Sequence, residues 1–119
     1  MTRKLSETTT ARRAGLFDEL MPLFVAMANE FQDAAKKKPD GALNKRKVEI
    51  VNRMLKSVFE VLEDETSRRY LDLLDEDNLP QNSDVSLILG QAVAAMKSFN
   101  SKYYVHGIGG YAWSTRAGD

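Results

Sequence analysis

Apolar side chains recur every three or four positions through the first third of the chain, and they form two adjacent rows. The rows contain Phe17, Met21, Phe24, Ala28 and Phe31, and Leu16, Leu20, Leu23 and Met27. This spacing places both rows on one unusually wide face of an α-helix. We therefore predict a helix over 11–38, capped by Thr10. Pro22 lies inside it without the N–H that a helical residue donates, so we expect a kink or a break there.

The same period returns over 42–63, after the helix-ending segment KKKPDG at 36–41. The apolar row of this second helix contains Val48, Val51, Leu55, Val58 and Leu62. Asp40 is a candidate cap for it. The polar run EDETSRR then interrupts the period. A short helix of about ten residues is predicted to follow, marked by Tyr70, Leu71, Leu73 and Leu74.

The last helix has the most regular pattern. Over 84–104 the apolar positions step by four and three, and Ser83 or Asp84 is its candidate cap. These positions are Val85, Leu89, Ala92, Met96, Phe99 and Tyr103. The polar segment 75–84 before it is predicted as a loop. No sustained period of two precedes residue 103, so the predicted fold class is all-α, a helical bundle of three to four helices.

The C-terminal segment KYYVHGIGGYAWSTRAGD departs from this pattern, and it holds the only His, the only Trp and four of the seven Gly. Its glycines follow a helix instead of opening one, which argues against a phosphate-binding loop. Gly107 fits the left-handed position that ends a helix. Tyr111 and Trp113 would share one face of a strand, and YYV and YAW would pair as a small hairpin. The chain is thus divided into a flexible N-terminal arm (1–10), a helical bundle domain (11–104) and an extended C-terminal docking tail (105–119).

Composition narrows the possible chemistry. With 43% apolar and 29% charged residues, the chain has the composition of a globular domain. It has no Cys, which excludes disulfides, thiolate catalysis and Cys-ligated metals. The N-terminal segment lacks the apolar core of a secretory signal, and no apolar run approaches the length of a membrane span. We expect a soluble, cytoplasmic protein with no membrane partner.

Charge is balanced overall, with 17 basic and 17 acidic residues, but it is segregated locally. Residues 36–47 hold six basic groups and one acid (net +5), and residues 63–78 hold seven acids and two Arg (net −5). The candidate contacts to nucleic acid or other anions are Lys36, Lys37, Lys38, Lys45, Arg46 and Lys47. A solvated turn is the other interpretation, favoured by the zero net charge and the lack of aromatics in this segment.

Few residues offer catalytic or metal-binding chemistry. His106 is the only His, and its closeness in sequence to Ser114 does not make a catalytic triad. Asp72, Asp75 and Glu76 have helical spacing, but they lack the Glu-x-x-His motif of carboxylate metal sites and the glycine of a calcium loop. We interpret them as a solvated acidic surface. The prediction is therefore no enzyme, no metal and no cofactor.

The strongest functional signal is an excess of apolar surface. A short bundle cannot bury two full apolar rows of one helix as well as the wide apolar faces of two others. This excess predicts a non-enzymatic protein that acts through protein–protein interaction, as an accessory, adaptor or regulatory subunit, and that forms a homo-oligomer. The candidate interface residues are Phe17, Phe24, Phe31, Tyr103, Tyr104, Tyr111 and Trp113. The alternative is a nucleic-acid-associated accessory protein that uses the basic turn at 36–47.

Overall fold

Three long helices and four short strands make up the described part of the chain, residues 7–117 of a computed structural model. The helices are α1 (Ala11–Lys37), α2 (Lys45–Val61) and α3 (Asn82–Tyr103), with a 3₁₀ helix at Thr66–Tyr70. The strands are β1 (Thr9–Thr10), β2 (Tyr104–Gly107), β3 (Gly110–Trp113) and β4 (Thr115–Arg116). The prediction of a mostly helical fold is confirmed, and so is the C-terminal hairpin. The class all-α needs correction, because the chain also forms strands.

Helix α1 begins where the pattern predicts. The Thr10 hydroxyl accepts the Arg13 N–H at 3.2 Å, so Thr10 is the N-cap. The helix continues through Pro22, so the break considered there does not occur. Pro22 and Asp18 are both exposed residues, and the Asp18 carbonyl that loses its donor therefore lies on the solvent side of the helix.

The segment after α2 differs from the prediction. Instead of a helix of about ten residues, it forms a 3₁₀ helix of five residues and then runs extended. This segment is bonded to Asn52, a buried α2 residue whose side chain donates to the Leu74 carbonyl at 2.9 Å and accepts the Leu74 N–H at 2.8 Å. This pair of bonds holds the extended chain against α2, with Leu71 and Leu74 buried.

The core lies where α1 packs against both α3 and α2. Phe24 is the last buried residue of α1, and Met27, Ala28 and Phe31 beyond it are only partly buried against the core. The core-facing side chains of α2, from Val48 to Val61, are buried. The apolar residues Ile50 and Met54, on another side of α2, are only half-buried. The largest fully buried side chains in the described residues include Phe24, Leu55, Leu62, Leu89, Met96 and Phe99.

Both termini of the described chain join one small sheet region. β2 and β3 pair antiparallel from Tyr104–Trp113 to Gly107–Gly110, and β1 pairs in parallel with β4. Of the predicted flexible arm 1–10, Thr9 and Thr10 are buried in β1, and residues 1–6 lie outside the described residues. Gly107 does not end α3 as predicted, because the helix stops at Tyr103 and the chain passes directly into β2. The turn instead uses Gly109 and Gly110, whose φ values of 90° and 116° suit only glycine.

Ion pairs fix the sheet region to the helices. Asp64, just after α2, accepts bonds from the buried Arg13 of α1 and from Arg116 of β4. Glu65 pairs with Lys102 at 3.3 Å and accepts the Tyr103 hydroxyl at 2.8 Å. Part of the acidic block at 63–78 therefore forms contacts within the protein.

In the described residues no helix combines the length and the apolar character that crossing a membrane requires.

Candidate functional site

An open apolar groove of about 530 Å³ lies between the C-terminal half of α1 and the N-terminal half of α2. It exists because the core covers only part of the wide apolar face of α1, and the second apolar row lies at the edge of the covered part. Leu23, in that row, is 62% exposed. The lining residues are Leu23, Ala26, Met27, Glu30, Phe31, Ala34, Lys47, Ile50, Val51, Met54 and Asn82.

The groove has the dimensions and the chemistry of a helix-binding surface. Leu23 and Ala34 are separated by 11 positions on α1, so the groove runs for about 16 Å, or three helical turns. Met27 and Met54 contribute flexible, polarizable side chains that adapt to different apolar shapes. Both walls are helices whose backbone hydrogen bonds are made internally. An occupant must therefore satisfy its own backbone, as a helix does.

One end of the groove is strongly basic. Lys47 lines it, and Lys37 stands three residues beyond Ala34, on the same face of α1. All six predicted anion contacts are exposed, and none of them forms an ion pair within the described residues. The sequence predicted these cations, and the structure places Lys47 in the lining of the groove and Arg46 in a neighbouring cleft with Glu49 and Glu76.

The basic turn between α1 and α2 is held in place by α3. The N–H groups of Asn82 and Ser83 donate to the carbonyls of Gly41 and Pro39 at 2.8 and 3.0 Å. The Asn82 side chain also donates to the Lys38 carbonyl at 2.9 Å. A Cβ on Gly41 would stand 2.8 Å from the Asn82 side-chain nitrogen, so a larger residue there would displace the side chain that bonds the Lys38 carbonyl. The cations therefore project from an ordered turn.

The first turn of α2 carries the wrong charge for a helix N-terminus. Asn44, and not the predicted Asp40, is its N-cap and accepts the Lys47 N–H at 2.8 Å. The next three residues, Lys45–Lys47, are basic, and no acid lies in this turn. The helix dipole places partial positive charge at this end, so each of these cations is mildly unfavourable there.

The predicted interface residues divide among three places. Phe17, Phe24 and Tyr103 are buried in the core. Trp113 packs on Phe17, with ring centroids 5.2 Å apart, and its indole N–H donates to Asp18 at 3.0 Å.

Only Phe31 lines the groove, while Tyr104 and Tyr111 stack on the exposed hairpin with ring centroids 5.7 Å apart. The groove residues that were missed, such as Leu23 and Met54, carried a detectable signal. They occupy apolar positions beside the main row of each helix, and a helix that buries only one face in a core does not require apolar residues there.

The hairpin is a second exposed apolar surface. Ile108 at its turn is fully exposed, Tyr111 is 64% exposed, and the His106 ring contacts Tyr111. Trp113 anchors this hairpin to α1 at Phe17 and Asp18, whereas the groove begins further along, at Leu23. The two apolar surfaces therefore lie at different parts of α1.

The acidic candidates do not assemble as a site. Asp72, Asp75 and Glu76 are exposed on the extended loop after the 3₁₀ helix. Asp75 accepts the N–H groups of Asp77 and Asn78, and these bonds lower its pKa. Within residues 7–117, no three His, Asp or Glu side chains come together in a way that would hold a metal ion.

Comparison with known proteins yields no relative: no protein-family model, no curated protein and no solved structure matches the chain. The groove, its basic end and the hairpin therefore carry the functional inference.

Proposed function

We propose that the protein acts through protein–protein interaction, as an accessory, adaptor or regulatory subunit without catalysis of its own, and that its α1–α2 groove binds an amphipathic helix of a partner. The observation that carries this proposal is the open apolar groove lined by Leu23, Met27, Phe31, Ile50 and Met54. Helix-in-groove recognition uses apolar anchors at i, i+3, i+4 and i+7. Three turns supply that set within about 16 Å.

The affinity expected of such a site is moderate. Covering Leu23 and its half-buried neighbours removes apolar area from water at about 25 cal/mol per Å². Part of that gain is offset by the lost freedom of the two partners and by ordering of the methionine side chains. We expect a dissociation constant in the micromolar range, which corresponds to a binding free energy of about −8 kcal/mol.

A matched pair of leucines tests the groove. Leu23 in the groove and Leu87 on α3 are 62% and 64% exposed, so we expect the fold to tolerate Asp equally well at either position. Helical peptides with apolar residues at i, i+3, i+4 and i+7 are selected by display against the wild-type protein, and their affinities are measured by fluorescence anisotropy. We expect Leu23→Asp to weaken the selected peptides about tenfold or more, and Leu87→Asp to leave them unchanged. Failure to select any peptide, or equal losses in both variants, would reject the proposal.

Self-association is a second form of the same function, and the hairpin favours it. No Asp, Glu, Lys or Arg occurs between Lys102 and Arg116, so neither strand carries the charges that usually protect a sheet edge. A second copy of the chain is the occupant that such an uncharged edge fits, because identical edges pair by the same backbone bonds.

Nucleic-acid association is the alternative, supported by the six exposed cations. Two features oppose it. Glu49 and Glu76 line the cleft beside Arg46 and Arg53, and no aromatic side chain lies among the cations for base stacking. If nucleic acid were the ligand, affinity for a generic oligonucleotide would fall steeply between about 50 and 200 mM salt.

A further inference from the structure

We infer that the helix received by the α1–α2 groove carries acidic residues at the end that meets the basic turn, so that the partner is an acidic amphipathic helix. This inference rests on the proposed function and adds the chemistry of the partner. It joins the apolar groove to Lys47, which lines the groove, and to the other cations of the turn between α1 and α2, Lys36–Lys38, Lys45 and Arg46.

Charge complementarity is the first argument. These six cations face one acid, Asp40, in their own segment, and they form no ion pair within the described residues. By contrast, Lys102, Arg13 and Arg116 at the opposite end of α1 are all paired. The protein thus pairs these three cations at one end and leaves a net charge of +5 in residues 36–47 at the other. A groove occupant with carboxylates at this end would complete those pairs.

The first turn of α2 supplies a second, independent argument. Lys47 occupies the third helical position, three residues after the cap Asn44. A Glu there would complete a capping box and suit the helix dipole. The chain places Lys at this position, and Lys45 and Arg46 before it, against the local preference of the helix. Conflicts of this kind between local stability and sequence are expected at functional sites.

Preorganisation is the third argument. The turn that presents the cations is bonded to α3 through Gly41, Pro39 and Lys38. Since the backbone at these positions is already ordered, a bound helix loses less free energy to ordering of the turn. A loosely held basic loop would lack this advantage.

Three peptides test the inference. They share one apolar face, with Leu at i, i+3, i+4 and i+7, and they carry four Glu, four Gln or four Lys at one end. Anisotropy titrations with the whole protein at about 150 mM salt measure each affinity. We expect the Glu peptide to bind about tenfold tighter than the Lys peptide, with the Gln peptide between them.

A charge swap gives the matched control. Lys47→Glu is expected to weaken the Glu peptide and strengthen the Lys peptide, and also to raise the melting temperature of the protein alone. Lys97→Glu changes the net charge equally but lies on α3, outside the groove, so it should leave both affinities unchanged.

The failures are distinguishable. If the Glu and Gln peptides bind equally and Leu23→Asp still abolishes both, the acidic partner is wrong and the groove stands. If no peptide binds in a manner that depends on Leu23, the proposed function falls and this inference with it. If a generic oligonucleotide displaces the Glu peptide at comparable concentration, the cations serve nucleic acid and the inference is overturned.

Discussion

Asn52 shows how one polar residue in an apolar row decides the path of a whole segment. It stands four residues after Val48 and three before Leu55, where the pattern of α2 favours an apolar side chain. Its amide instead pairs with both backbone groups of Leu74. The loop between the 3₁₀ helix and α3 is therefore bonded to the middle of α2.

Asn52→Ala is expected to lower the free energy of unfolding by about 1–3 kcal/mol, because both backbone groups of Leu74 lose their buried partners. Urea denaturation measures the change. Asn29→Ala, on the exposed side of α1, is the matched control and should remain within about 0.5 kcal/mol of wild type. Equal stability of the two variants would show that the pairing contributes nothing.

Tyr103 has a raised pKa, because burial disfavours its phenolate and because its hydroxyl donates to Glu65. The Lys102 pKa is also raised: burial alone would lower it, but hydrogen bonds with Tyr103 and Glu65 outweigh that effect. Groups with raised folded pKa values hold their protons more tightly in the folded state. Their stabilisation is therefore complete below the unfolded values near 10, and it is lost as pH rises through the folded ones.

We expect the free energy of unfolding to fall as the pH rises above about 10, and to fall less steeply in Tyr103→Phe, which has no phenol to ionise. The absorbance titration of tyrosine should lose its most alkaline component in the same variant. Tyr70→Phe, at a residue 72% exposed, is the control. Identical alkaline slopes for wild type and Tyr103→Phe would contradict the assignment.

The tail joins elements from both ends of the described chain. A two-stranded hairpin with strands of four residues has little stability of its own. Here it is held by Trp113 against Phe17 and Phe99, and by β4 beside the buried β1. The tail is thus part of the fold and closes the end of the molecule where α1 begins.

Removal of residues 107–119 is expected to lower the free energy of unfolding by about 2 kcal/mol or more, because it deletes the half-buried Trp113 and exposes Phe17, Thr9 and Thr10. Thermal or urea unfolding measures this loss. Ile108→Asp, at the fully exposed turn, is the control and should leave stability nearly unchanged. An unaltered melting curve for the shortened chain would mean that the tail is not part of the cooperative unit.

At the scale of the whole molecule, the hairpin and the groove are two apolar surfaces at separate positions along α1, so one can pair copies of the chain while the other receives a partner. We expect sedimentation velocity at high micromolar concentration to give a mass above the 13.4 kDa of one chain. Val105→Lys, on the exposed strand β2, should restore the monomer by charging the edge. Leu23→Asp should leave the mass unchanged. A monomeric wild type would reject self-association and leave the groove proposal standing.

The sequence by itself determined what depends on neighbours along the chain. Helical periods located α1, α2 and α3 to within a few residues, Thr10 identified a cap, and the two aromatic triplets around the glycines identified the hairpin. It also identified the basic block and the surplus of apolar positions on the first helix. These properties follow from side-chain spacing, cap chemistry and charge, all of which are local.

Only the tertiary structure decided what depends on contacts distant in sequence. Asn52 holds a segment that was predicted as helix against α2 through a contact 22 residues away, and β1 pairs with a strand more than 100 residues later. Phe17 and Phe24 became core and Leu23 became surface, because these side chains lie on different sides of α1 and the neighbouring elements cover only one of those sides. The pattern of one helix gives the width of its apolar face, but the other elements determine how much of that face they cover.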